Sequence, residues 1–185
     1  LQSRLQSLNV HLTNHIAWPI HLADTDDLRG WKAKHRRVAT MIEHQLPGDV
    51  GDLVPSAAAF LAPSGQASSF VWSRSLTEMR KVMIADCDFR LSAGGRLTGY
   101  KGGMPGVLEE LALSVEMEKP IFLLGGFGGV TRSVCRLILE KSVPEELTFA
   151  WQLSSNPGLS DIASFAALRG VDYEKQYQRV LESLM

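Results

Sequence analysis

Apolar and polar positions along the chain change their period several times, and each change marks an expected element. Residues 10–16, VHLTNHI, are rich in β-compatible residues and stop short of Pro19, which predicts a strand. Residues 28–45 are charged and carry Trp31, Val38 and Ile42 at roughly helical spacing, which predicts an amphipathic helix. A Gly/Pro loop at 46–54 leads to AAAFL at 57–61, expected as a short buried strand closed by Pro63. A polar loop at 65–70 precedes a helix over 75–85, with Ser75 as N-cap and Glu78 as its capping-box partner. Residues 89–93 predict a third strand. A glycine-rich loop separates it from a helix over 105–117, with proline at its first turn. PIFLL at 120–124 predicts a fourth strand, and GGFGG runs from it into a helix over 130–141. The tail, residues 144–185, reads as two or three helices, the last capped by Asp172.

Strands alternating with helices imply a parallel sheet covered on both faces. The expected fold is therefore α/β, a three-layer αβα arrangement with a mainly parallel sheet and a helical C-terminal tail. No internal repeat or linker divides the chain, so residues 1–185 are expected to form one domain. Its tail is expected to serve as a packed cover or a dimer surface. The first residue is Leu1, and the expectation is a fragment with elements of the fold missing upstream.

Composition narrows the classes of function. Of 185 residues, 45% are apolar and 21% charged, as in a globular domain. Lys and Arg number 19 against 20 Asp and Glu, a net charge of −1, so no basic excess points to nucleic acid and any anion site must be local. Cys87 and Cys135 show no metal-ligand spacing, and a reducing cytoplasm is expected. No apolar run reaches membrane-spanning length. His11 and His15 share a strand face with no third ligand in view, so no metal is expected; no cofactor is expected either.

The chemistry concentrates in two glycine loops. GGRLTGYKGGMPGVLEEL, residues 94–111, follows one expected strand; GGFGG, residues 125–129, follows the next. In a parallel sheet both loops lie at the carboxyl edge, where open α/β folds bind ligands. Each opens a helix whose free N–H groups and dipole attract an anion, and glycines let a phosphate approach. Neither loop is a GxGxxG or a Walker sequence, which disfavours a dinucleotide dehydrogenase or an ATPase. The candidate ligand residues are Gly94, Gly95, Arg96, Tyr100, Lys101, Gly102, Gly103, Gly106, Gly125, Gly126, Phe127, Gly128 and Gly129. Lys101 offers a point charge to phosphate and Tyr100 a ring to stack on a base. Glu109 and Glu110 suit the helix dipole, and one of them suits a ribose hydroxyl; Arg80, on the preceding helix, points to the same edge. No residue is assigned a catalytic role.

Residues 79–133 resemble the SLOG superfamily of Rossmann-like nucleotide-binding domains, which includes the LOG phosphoribohydrolases, the DNA-processing protein DprA and sensor domains of bacterial defence systems. Met79-Arg80-Lys81 resembles the helix signature of the LOG enzymes, and the run Gly102 to Glu110 occupies the place of their PGGxGTxEE. Here Met104 stands where they keep glycine and Val107 where they keep threonine, and residues 94–101 lengthen the loop. The longer GGRxxGYKGxxPGxxEE pattern, AWPIHL at 17–22 and LLGGFGGVTR at 123–132 are similar to the branch fused to TIR or sirtuin effectors in antiphage systems such as Thoeris. That resemblance implies a cytoplasmic sensor of ADP-ribose-type nucleotides, cyclic isomers included. It further implies a TIR or sirtuin effector as partner, a homo-oligomer, and a family first strand and helix missing from this chain. An N-glycosidic phosphoribohydrolase of LOG type is the alternative, and a scaffold that has lost its ligand is a third reading.

Overall fold

The computed structural model describes residues 12–23, 25–35 and 37–185. His11 and the first two positions of the strand expected at 10–16 lie outside them. Strand β1 (Leu12–Ile16) is followed by helix α1 (Asp26–His35) and strand β2 (Ala39–Glu43), which lies parallel to β1 with Leu12 opposite Ala39 and Ile16 opposite Glu43. Helix α2 (Gln66–Ala85) leads to β3 (Arg90–Ala93), α3 (Gly106–Glu116), β4 (Ile121–Leu124) and α4 (Gly129–Glu140). β3 and β4 form a second parallel pair, Leu91 opposite Phe122 and Ala93 opposite Leu124. The tail contributes α5 (Phe149–Ser155), α6 (Pro157–Leu168) and α7 (Tyr173–Ser183). Asp172 caps the last of these by accepting the Lys175 N–H at 3.0 Å. Short parallel strand pairs among a majority of helices are consistent with a Rossmann-like αβα fold carrying a helical C-terminus.

Three local expectations are corrected. The helix expected over 28–45 ends at His35, and its second half is β2. Thr40 and Ile42 are β-branched and lose rotamer freedom in a helix, whereas a ladder to β1 satisfies their backbone. The strand expected at 57–61 is irregular and largely exposed. Its alanines bring little to bury, and two of its carbonyls are taken by indoles instead of a neighbouring strand. Trp18 Nε1 donates to Ala57 O at 2.9 Å, and Trp72 Nε1 to Leu61 O at 2.7 Å. The loop expected at 65–70 is the opening turn of α2. Gly65 is its N-cap and donates its N–H to Ser68 Oγ at 3.0 Å, while Ser75, expected as the cap, is buried mid-helix.

Two apolar clusters hold the elements together. One gathers Leu108 and Leu111 of α3, Val130, Val134 and Leu137 of α4, and Tyr177 and Leu181 of α7. The other gathers Trp18, Val50, Phe70 and Val71 with Ile162 and Ala166 of α6 and Tyr173 of α7. The tail thus contributes to both clusters, which makes it a packed cover. The β3–β4 pair is two-faced: Ser92 is buried, while Phe89, Leu91, Phe122 and Leu124, on the alternate face, are exposed. Among the described residues no helix is long and apolar enough to cross a membrane.

Candidate functional site

The two glycine loops meet at the ends of β3 and β4. Val130 N–H, in the first turn of α4, donates to Gly95 O at 3.1 Å, and Thr131 N–H to Gly94 O at 2.8 Å. Gly129 (φ 58°) crosses so close to the carbonyl of Gly95 that a Cβ would overlap it. Two of the amides that an α4 N-terminus offers an anion are therefore spent on the neighbouring loop. Arg132 folds back over the second loop, its Nε donating to Gly125 O at 3.4 Å, whereas Phe127 and Arg96 are exposed.

Beneath the first loop lies a group of charges drawn from three elements. Arg80, buried on α2, donates through Nη1 to Glu109, and its Nε lies 3.5 Å from Glu110 Oε1. Arg90 of β3 donates through Nη2 to Glu110, and Thr77 Oγ1 donates to Glu109 Oε1 at 2.5 Å. Two arginines face two glutamates, so the group is formally neutral. Burial lowers the Arg90 pKa, and its guanidinium stays charged over any ordinary pH. The Arg80 guanidinium also explains bare backbone above it at Gly106, where a Cβ would sit 2.6 Å from Nη2.

The tail closes the first loop from the other side. The Tyr173 ring occupies the space that a Cβ on Gly103 would need, and its hydroxyl lies 2.7 Å from Ser73 Oγ. Tyr100 donates its hydroxyl to Gln152 Oε1 at 2.6 Å and meets Tyr177 OH at 3.2 Å. Gly99 N–H donates to Asn156 Oδ1 at 2.9 Å. Burial pushes the Tyr100 pKa up to about 12 and that of Tyr177 higher still, so both phenols stay protonated.

A cavity of about 280 Å³ opens between this loop, the start of α6 and the first turn of α2. Tyr100, Lys101, Gly102, Ser69, Asn156 and Gly158 are among its walls. Glu109 faces a second cavity of about 490 Å³ between α2, α3 and α7, bordered also by Arg74, Thr77, Lys81, Tyr173 and Arg179. Apart from Arg96, which is exposed, and Gly103, which lies against the Tyr173 ring, the expected site residues divide into three sets. Tyr100, Lys101 and Gly102 line the smaller cavity. Arg80, Glu109 and Glu110 form the buried charge group under Gly102 and Gly106. Gly94 and Gly95 meet the segment from Gly125 to Gly129 in a loop-to-loop contact. Among the described residues no cluster of three His, Cys, Asp or Glu is arranged to hold a metal.

Comparison with protein families then decides the kinship: a model of SLOG cluster2 matches residues 2–185. The chain belongs to the SLOG cluster2 family. No curated protein matches it, and no solved structure does. Membership of SLOG supports a nucleotide-related function in general, and in this SLOG chain glycine backbone, Lys101 and Ser69 border the smaller cavity. Sequence reasoning missed Gln152, Asn156, Tyr173 and Tyr177. The Asn156-Pro157 dipeptide was the one local signal, since such a pair marks a turn.

Proposed function

We propose that this SLOG chain is a cytoplasmic nucleotide-sensing domain that binds an ADP-ribose-derived signal, cyclic isomers included, and regulates a TIR or sirtuin effector in antiphage defence. The observation that carries the reading is the cavity at Lys101, where a lysine, glycine backbone and the Ser69 hydroxyl border one space. Its volume of about 280 Å³ lies just below the range of about 300–1,000 Å³ for ligand pockets. It takes one half of such a ligand, with the other half extending over the loop. Lys101 meets phosphate as a point charge. Both glutamates are already bonded to arginines, so neither stands free as a general base. Val107, where the LOG enzymes keep threonine, packs against the loop: a Cβ on Gly95 would lie 2.8 Å from its Cγ2, and no hydroxyl is present to donate. A homo-oligomer is part of the proposal.

A LOG-type phosphoribohydrolase is the second reading, favoured by the larger cavity at Glu109 beside Arg80. Incubation of the chain with AMP, ADP-ribose and cyclic ADP-ribose isomers, followed by chromatography, separates the two. Intact ligand with affinity measurable by calorimetry is the expected result. Free base released from AMP with turnover would assign the enzyme instead. Lys101→Glu is expected to weaken ADP-ribose binding at least tenfold, because a negative charge then faces the diphosphate; unchanged affinity would remove Lys101 from the site.

A further inference from the structure

The buried polar chain between the glycine loop and the tail has a direction that its chemistry determines. Gln152 is fully buried and Asn156 nearly so. Gln152 Nε2 donates to Glu146 O at 2.7 Å, which leaves Oε1 as acceptor for the Tyr100 hydroxyl at 2.6 Å and for Asn156 Nδ2 at 2.8 Å. Asn156 Nδ2 also reaches Gln152 O at 3.1 Å, so its Oδ1 faces the loop and accepts the Gly99 N–H. With the Tyr100 proton committed to Gln152, Tyr177 donates to the Tyr100 oxygen. Neither amide can flip without setting donor against donor or acceptor against acceptor. Two consecutive loop residues, Gly99 and Tyr100, are thereby tied to two residues one helical turn apart on the tail. The next loop residue is Lys101, on the wall of the cavity.

We infer that Gln152 and Asn156 are positioning residues of the nucleotide site, holding the 99–101 segment in the one conformation that presents Lys101 to the cavity. The tail is then part of the binding machinery, and the loop is set before ligand arrives, so ordering it costs little affinity. The inference rests on the nucleotide reading for its ligand but not for its loop.

The test uses the whole chain with two readouts: amide hydrogen exchange of residues 99–101 without ligand, and ADP-ribose affinity by calorimetry. Asn156→Leu strips the acceptor from Gly99 N–H and is expected to speed exchange about tenfold and weaken ADP-ribose about tenfold. Asn156→Asp places a carboxyl among the two Gln152 oxygens and the Gly99 N–H. Its protonated form donates its single O–H to one Gln152 oxygen and accepts the Gly99 N–H, whereas the ionised form sets a negative charge against both Gln152 oxygens, so loop protection, compared with the parent chain at the same pH, is higher at pH 5 than at pH 8. A residue that merely filled space would give no such pH profile. Tyr100→Phe, which leaves Asn156 in place, is expected to speed exchange as well, and it decides the matter if Asn156→Leu does not fold. Loop exchange unchanged in Asn156→Leu and Tyr100→Phe overturns the inference. A parent chain that binds no ADP-ribose overturns the nucleotide reading and leaves the exchange result alone to decide the positioning role.

Discussion

Single positions in the glycine loops differ sharply in what they tolerate, and the difference follows from what each faces. A Cβ on Gly103 overlaps the Tyr173 ring, so Gly103→Ala forces the ring off its Ser73 hydrogen bond. The expected cost is about 1–3 kcal/mol in urea unfolding, as for other overpacked sites. Gly126 has open space where a Cβ would go, and its φ is not positive, so Gly126→Ala is expected to change stability by less than about 0.5 kcal/mol. Equal midpoints for the two variants would remove Tyr173 as the reason for glycine at 103. Arg80 behaves differently again. Arg80→Met leaves Glu109 with only Thr77 as donor and the buried group with a net negative charge. Breaking a buried pair from one side costs about 3–5 kcal/mol, and Arg80→Met/Glu109→Gln is expected to recover part of it. A single variant as stable as the parent would show that the pair contributes no stability.

At the scale of elements, the strands that were legible are those bounded by strong punctuation. β3 and β4 each run into glycine, and β1 stops before a proline, so their apolar runs stand out. β2 was hidden because Val38 and Ile42 fall at helical spacing with Trp31, and only the ladder to β1 breaks the tie. The glycine loops and the Arg80, Glu109 and Glu110 triplet were legible because each motif is local. Their tail partners were not, since Gln152, Asn156 and Tyr177 meet residues 52 to 77 positions earlier and carry no local period. The β1–β2 pair also carries a pH dependence. His15 Nδ1 lies 2.9 Å from His44 Nε2 just beyond β2, and His21 Nε2 donates to His44 O at 2.9 Å. Burial, then the nearby His15 and His21, hold the His44 pKa below its ordinary 6.5, against a smaller opposite pull from Asp86. A depressed histidine pKa means that the unfolded chain takes up the proton first. The stability contribution of a neutral His44 is therefore fully present above pH 6.5 and falls away as the pH drops through the lower folded pKa. Melting temperature is expected to decline between pH 6.5 and 5, with a shallower decline in His44→Gln; identical slopes would exclude His44 as a source.

At the scale of the whole molecule, the helices leave one face of the β3–β4 pair uncovered. Parallel strands normally carry cover on both faces, because their residues are apolar on both. Of this pair only β4, IFLL, follows that pattern in sequence, yet Phe89, Leu91 and Phe122 each keep 55% of their surface and Leu124 keeps 43%. Phe89 and Phe122 stand edge to face at 5.8 Å, so the exposed residues form one contiguous patch. Contiguous apolar surface of this kind drives association in water. The described chain is expected to self-associate with rising concentration, seen as growing mass in light scattering, through this face. Leu91→Lys with Phe122→Lys places charge at directly opposed positions of the ladder and is expected to suppress the association. Because both side chains are half exposed, the melting temperature should fall little, by no more than a few degrees. Association that persists undiminished in the double variant would place the contact elsewhere on the molecule, and a large loss of stability would show that the face is buried within the folded chain in solution.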